Sequence, residues 1–153
     1  MTPRLARTSD IEALAQLRYA LWPLGSVAEF RSEVAQIVAG TFSPLPYVIL
    51  VADDDDTLVG FIEVSLRSHA DGCESHPVGF IEGWYVAKAF RGRGVGRSLA
   101  LSAEDWAREH GCTEMGSDAL LDNVESQRAH AALGYSVVDR CVNYRKTLSN
   151  STV

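Results

Sequence analysis

Tyr85-Val86-Ala87-Lys88-Ala89-Phe90-Arg91-Gly92-Arg93-Gly94-Val95-Gly96-Arg97-Ser98 is the stretch on which the fold turns. An apolar run ends here in a turn with glycine at 92, 94 and 96, and the turn opens a helical pattern. Glycines let a backbone approach a ligand closely with its N–H groups pointing outward. A helix start adds unpaired amides and the positive end of the helix dipole. Together they suit an anion such as a pyrophosphate, and Arg91, Arg93 and Arg97 reinforce that reading. A dinucleotide fold would need Gly-x-Gly-x-x-Gly after the first strand of a parallel sheet, whereas the spacing here is Gly-x-Gly-x-Gly and falls late in the chain. A P-loop would need Gly-Lys-Ser/Thr, which is absent. On the glycine pattern alone, a ligand cradle and a plain glycine-rich loop both remain open.

Upstream, Val78 to Val86 reads as a strong strand, preceded by a loop over 68–77 that carries Asp71-Gly72 and Pro77. Tyr47 to Ala52 and Thr57 to Leu66 are β-rich runs. Asp53 to Asp56 between them reads as a hairpin turn rather than a metal site, because neighbouring side chains at a turn point apart. Nearer the N-terminus, residues 3–7 fit a short strand. Ile11, Leu14, Leu17 and Leu21 fall at helical spacing, with Ser9 and Glu12 as an expected capping box and Pro23 as the stop. Ser26 with Glu29 opens a second helix, on which Val27, Phe30, Val34 and Ile37 share a face, and Gly40 closes it. Downstream, the pattern predicts a helix over Gly94–His110, a short strand over Cys112–Asp118, a helix over Asp122–Leu133 ended by Gly134, and an extended run over Tyr135–Lys146. The order β-α-α-β-β-β-α-β-α-β predicts an α/β (α+β) fold: a mixed, mostly antiparallel central sheet with helices on both faces. One domain over 1–148 with a tail at 149–153 is expected.

The 153 residues, 46% apolar and 22% charged, suffice for an ordinary core without staples. Lys plus Arg number 14 against 20 Asp plus Glu, a net charge of −6. That balance gives no footprint for nucleic acid and suits a cationic partner. No apolar run approaches the ~20 residues needed to span a bilayer, and Met1-Thr2-Pro3-Arg4 does not begin a secretory signal. Cys73, Cys112 and Cys141 form no CxxC pair and do not combine with His69, His76, His110 or His130 at zinc-ligand spacing. Free thiols in a reducing, cytoplasmic setting and no metal are expected.

Arg91-x-x-Gly94-x-Gly96 after an apolar strand, in this order of elements, resembles the GCN5-related N-acetyltransferase superfamily. Asn123 and the helix end Ala132-Leu133-Gly134-Tyr135 extend the resemblance. A second set of blocks is similar to the aminoglycoside 6′-N-acetyltransferases. It comprises Leu21-Trp22-Pro23, the run Ser75 to Val86 with Glu82-Gly83-Trp84 at its centre, Ala103-Glu104-Asp105-Trp106, and Gly111 to Asp118. Asp122-Asn123, Ser126-Gln127, His130 and Tyr144-Arg145-Lys146 continue it. The resemblance implies a coenzyme A crevice between two splayed parallel strands, acetyl-CoA as cosubstrate, a cationic amine as acceptor, and a homodimer. It implies that Tyr85, Val86, Arg91, Gly92, Arg93, Gly94, Val95, Gly96, Arg97, Ser98 and Asn123 face the coenzyme, with the Val86 amide directed at the thioester oxygen.

An aminoglycoside amine is mostly protonated near neutral pH, so carboxylates must bind the cation and take or relay a proton. Glu82 and Asp118, near the ends of neighbouring strands, are the expected pair. A salt-bridged strand residue is the competing reading of Glu82, set against its largely apolar neighbours. His130 stands where many superfamily members place a tyrosine and is the expected donor to the leaving thiolate; a structural histidine is the alternative. The resemblance makes Trp22 an aromatic wall for the sugar rings, against a plain packing role. It makes Asp139 a further acidic contact, against a solvated residue. Loop 68–77 offers His69 and Ala70 where several relatives carry a tyrosine, and Ala87 replaces the usual proline after the strand. The expected activity is acetyl transfer to the 6′-amine of aminoglycosides by direct attack in a ternary complex. Acetylation of a polyamine or protein amine, or a non-catalytic acyl-CoA-binding module, is the alternative.

Overall fold

The computed structural model describes residues 1–150; the last part of the expected tail, from 151, lies outside the described residues. Two compact units are present, residues 1–118 and residues 119–153.

The first unit is built on a five-stranded sheet in the order β1 (Arg4–Leu5), β2 (Tyr47–Asp54), β3 (Thr57–Arg67), β4 (Val78–Val86) and β5 (Met115–Ser117). All pairings are antiparallel except β4 with β5. The β2–β3 turn takes Asp55 and Asp56 through positive φ (47° and 63°), the geometry that matches strand twist in a two-residue hairpin. Asp53 is held by Arg4 across β1 and β2 at 3.0 Å, so the acidic run is structural.

The helices α1 (Ile11–Leu21) and α2 (Val27–Ala39) cover one face. There Leu14, Val34 and Ile37 close a core on Ile49, Val51 and Phe61. The helix α3 (Val95–Glu109) covers the other, burying Val95, Leu99, Ala100, Ala103 and Ala107. Ser26 caps α2 by accepting from the Glu29 amide, and Gly40 ends it with φ 78°, both as the spacing predicts. The expected Ser9–Glu12 box does not form. Asp10 stands at the N-cap of α1 and bonds backward, to the Arg7 amide at 2.7 Å and to Arg4 at 2.8 Å, while Glu12 pairs with Arg31 of α2. A buried carboxylate with two strong donors outcompetes an exposed hydroxyl for the same helix start.

In the second unit, α4 (Val124–Ala132) is capped by Asn123, whose side chain accepts from the Ser126 amide, and it buries no residue. Residues 135–150 form no helix or strand, so the extended run expected over Tyr135–Lys146 joins no ladder among the described residues. Alternating side chains indicate a strand's faces but do not provide the partner its backbone needs. No helix of the described residues is long and apolar enough to cross a membrane.

Candidate active site

The site in the first unit starts from an irregularity in β4. Glu63 lies opposite Gly83 and Val64 opposite Ile81, so Glu82 is an extra residue with no counterpart on β3. Such a bulge re-aims a side chain. In regular alternation Glu82 would share a face with Phe80, two positions before it, and oppose the adjacent Gly83. The bulge places it with both, on the face that α1 and α2 cover. There its carboxylate accepts from the Ser65 hydroxyl at 2.7 Å and from Arg67 through Nε at 2.9 Å and Nη2 at 2.8 Å.

The pairing of β4 with β5 covers Gly79↔Met115, Phe80↔Gly116 and Ile81↔Ser117, after which β5 ends and β4 runs on to Val86. One residue beyond the last rung stand Glu82 and Asp118, side by side by register. Asp118 is exposed and its charge acts on Arg67, whose own pKa is raised, first by the Glu82 hydrogen bonds. Thus one cation faces both expected carboxylates, Glu82 through hydrogen bonds and Asp118 through charge.

The end of β4 is open on the β5 side. Ala87 N–H donates to the Val59 carbonyl at 2.8 Å, which makes Gly60↔Val86 a non-hydrogen-bonded antiparallel pair. The Val86 amide and carbonyl therefore point away from β3, and Arg91 Nε reaches that carbonyl at 2.8 Å. A short 3₁₀ turn, Lys88–Phe90, leads into Gly92 and Gly94 at φ 75° and 81°, a left-handed backbone that favours glycine. Where a Cβ would stand at either, nothing lies within 4 Å, so the loop presents bare backbone to open space. Gly94 is the N-cap of α3, and the first internal bond of the helix is Ser98 N–H to its carbonyl. The amides before Ser98 are those a helix leaves without an internal partner. Trp84 Nε1 donates to the Gly96 carbonyl at 3.2 Å and anchors the helix start to β4. Arg93, exposed, stacks near Phe90, and Arg97 is exposed. These features fit a bound pyrophosphate.

A match to the Acetyltransferase (GNAT) family model covers residues 11–135. The chain belongs to the GNAT acetyltransferase family. Among relatives of this acetyltransferase, the aminoglycoside N(6′)-acetyltransferase type 1 of Serratia marcescens is 42% identical over 91% of the chain and 94% of its own length. The protein of the same name from Klebsiella aerogenes is 42% identical, with 95% of each chain covered. Among solved structures, the apo aminoglycoside 6′-N-acetyltransferase AAC(6′)-Ig of Acinetobacter haemolyticus superposes with a TM-score of 0.87 at 35% identity, covering 97% of this chain and all of its own. AAC(6′)-Iy, solved with the bisubstrate analogue CoA-S-monomethyl-acetylneamine, gives a TM-score of 0.86 at 32% identity, covering 95% of this chain and 97% of its own.

The remaining expected residues of the acetyltransferase take varied positions. Trp22, half-buried, packs on Phe30 and Phe61, lies 5.2 Å from the Arg18 guanidinium, and presses on Gly83, next to Glu82. Much of its ring therefore serves packing. His69 is exposed in the loop after β3, and Ala70 lies against Gly116. That loop is tied to the start of β5 by Glu114, which accepts from the Glu74 and Ser75 amides at 2.9 and 2.7 Å. In the second unit, the Asn123 oxygen is committed to the α4 cap. His130 Nδ1 lies 2.6 Å from the Ser126 carbonyl, so a proton there donates to it, and the ring stands edge-on to Tyr135. Asp139 is exposed and accepts from the Arg140 amide. Among the described residues no cluster of His, Cys, Asp and Glu could hold a metal ion.

Sequence reasoning missed the groups behind Glu82. Glu63, fully buried, pairs with Arg18 of α1 at 2.6 Å and accepts from the Tyr47 hydroxyl, while Arg18 also reaches Glu33 of α2. Burial opposes the charge of Arg18, but the Glu63 hydrogen bond and charge outweigh it and raise its pKa. Burial first, then the Glu63 charge, pushes Tyr47 far above the usual phenol value. The available signals were a carboxylate inside the apolar run Val59–Val64 and an arginine one turn from Leu14 and from Trp22 on the helix face.

Proposed function

We propose that the chain transfers the acetyl group of acetyl-CoA to the 6′-amino group of aminoglycosides, an activity that gives resistance to these antibiotics. The feature that supports the reading is Arg67, which faces Glu82 through hydrogen bonds and Asp118 through charge, together with the outward-pointing Val86 amide on the strand of Glu82. Identity above 40% to enzymes named for this activity supports it.

Acetyl-CoA supplies the activated acyl group when bound. The backbone of Gly92 to Gly96, with Arg91, Arg93, Arg97 and Ser98, holds its pyrophosphate; Tyr85, Val95 and Asn123 complete that side. Glu82 and Asp118 receive the acceptor ammonium, and one proton leaves its nitrogen for a carboxylate or a water held by one. The neutral amine attacks the thioester carbon while the Val86 N–H stabilises the developing oxyanion, an interaction worth about 3 kcal/mol in comparable sites. The C–S bond breaks, the nitrogen releases its second proton to solvent, and His130 gives a proton to the leaving thiolate and is reprotonated from solvent. Trp22, His69 and Asp139 are proposed contacts for the sugar rings and their other amines.

Thiol release measured with kanamycin, gentamicin and spermidine tests this reading. We expect turnover with the two antibiotics and little with spermidine. Preferred transfer to spermidine would replace the acceptor, and CoA binding without thiol release for any amine would replace the enzyme with a binding module. Glu82→Gln and Asp118→Asn should each lower kcat/KM for kanamycin on the order of 10²-fold or more and leave CoA affinity nearly unchanged.

We also infer a cytoplasmic homodimer. Val137, Val138, Val142, Tyr144 and Leu148 stand exposed in the second unit, a density of apolar surface that a second copy would cover. Sedimentation at micromolar concentration should give twice the monomer mass; a single monomeric species would refute this inference.

A further inference from the structure

Arg67 is the last residue of β3, and its contacts differ from those of a surface arginine. It grips both oxygens of Glu82 in a bidentate fork, at 2.9 and 2.8 Å. Its guanidinium carbon lies 3.5 Å from the centre of the Phe80 ring, which holds the fork flat. Phe80 in turn rests over Gly116, where a Cβ would come within 2.9 Å of the ring. Asp118 contributes charge alone to Arg67. With Ser65 also donating at 2.7 Å, three of the roughly four lone-pair positions of the Glu82 carboxylate are taken.

A carboxylate whose oxygens already accept three hydrogen bonds is fixed in direction and has about one lone-pair position left for an acceptor ammonium. Asp118, exposed, feels Arg67 through charge alone and is not held by its fork. We propose that Arg67 is a positioning residue for acetyl transfer: it aims Glu82 at the acceptor nitrogen as a fixed anchor and leaves Asp118 to take the proton. In balance, one ammonium N–H bond breaks toward an Asp118 oxygen, and the freed nitrogen pair forms the C–N bond as the C–S bond breaks. The nitrogen, cationic again, gives its second proton by way of solvent to the leaving thiolate, and Asp118 later returns the first proton to solvent. The built-in cation also lowers acceptor affinity, because it occupies the field that would otherwise draw in the amine.

This inference rests on the reading of Glu82 as the acceptor carboxylate, and the experiment separates the two. Kanamycin kinetics and calorimetric binding of kanamycin are compared in the wild type, Arg67→Met, Arg67→Lys, Glu82→Gln and the double variant Arg67→Met/Glu82→Gln. Arg67→Met should lower kcat on the order of tenfold to a hundredfold through misplacement of the amine. Kanamycin should bind as tightly or more tightly, whereas a merely structural role would weaken binding too. Arg67→Lys should recover part of kcat. The double variant should be no slower than Glu82→Gln, since the arginine acts through that carboxylate. Additive losses, or kcat unchanged within twofold in Arg67→Met, would overturn the proposal. If Glu82→Gln keeps full activity, the reading of Glu82 fails and this inference with it. If the wild type acetylates no amine, the proposed function fails, and weaker kanamycin binding in Arg67→Met than in the wild type would then reject the role of Arg67 while unchanged or tighter binding would retain it.

Discussion

Glu63 has no exposed surface and Arg18 almost none, yet the two form an ion pair between β3 and α1. Removing one partner of such a pair leaves the other desolvated and alone, which typically costs about 3–5 kcal/mol. We therefore expect Glu63→Met to lower stability by about that amount in urea unfolding. Replacing both in Arg18→Met/Glu63→Met should recover a large part, because apolar groups of similar volume pack without desolvated charge. Gly83 tests the position of Trp22. A Cβ there would stand 2.6 Å from the indole, so Gly83→Ala must displace the ring. The expected result is a stability loss of about 1–3 kcal/mol and a raised KM for kanamycin with an unchanged KM for acetyl-CoA. Equal changes in both constants would show that Trp22 does not serve the acceptor.

The turn between β4 and α3 and the start of α1 show how a local conformation serves the elements around it. Gly94 is left-handed and begins α3. A branched side chain in that conformation costs about 1–2 kcal/mol. In Gly94→Val the loop relieves this by leaving the shape that presents its amides, so CoA binding should weaken by about tenfold, while far-UV helicity is retained. At α1, the Asp10 carboxyl titrates below the ordinary aspartate value, chiefly through its hydrogen bond to Arg4, with burial opposing and the Arg7 amide assisting. A carboxyl depressed on folding stabilises the fold fully above its unfolded pKa, near 3.9. It loses that contribution as pH falls through the folded value. Asp10→Asn should thus be less stable than the wild type at pH 7, by about 2 kcal/mol, and the gap should narrow steadily below about pH 4. A gap that is constant from pH 7 to pH 3 would show that the charge of Asp10 contributes nothing.

Across the molecule, the readable parts were those ruled by neighbours in the chain. Apolar spacing located α1, α2 and α3 to within a residue or so of their ends, with the caps of α2 as expected and that of α1 not, and β-rich runs with an aspartate turn located β2, β3 and β4. The glycine pattern located the turn before α3, because glycine takes the positive φ of Gly92 and Gly94 without steric cost. The order of these elements was enough for a mixed sheet with helices on both faces. Where a feature depends on distant partners, the chain alone was silent. The bulge at Glu82 exists only as a mismatch between β4 and β3. The groups behind it, Arg67 and Ser65, lie 15 and 17 positions away in sequence. Asp10 turned from α1 to Arg4 because burial made two charged contacts stronger than one exposed cap. The run from Tyr135 reads as extended yet joins no ladder among the described residues, since a ladder is a property of two segments. Residue type and spacing thus set the elements, the coenzyme loop and the identity of the two carboxylates. Register, burial and charge pairing set where Glu82 points and what holds it.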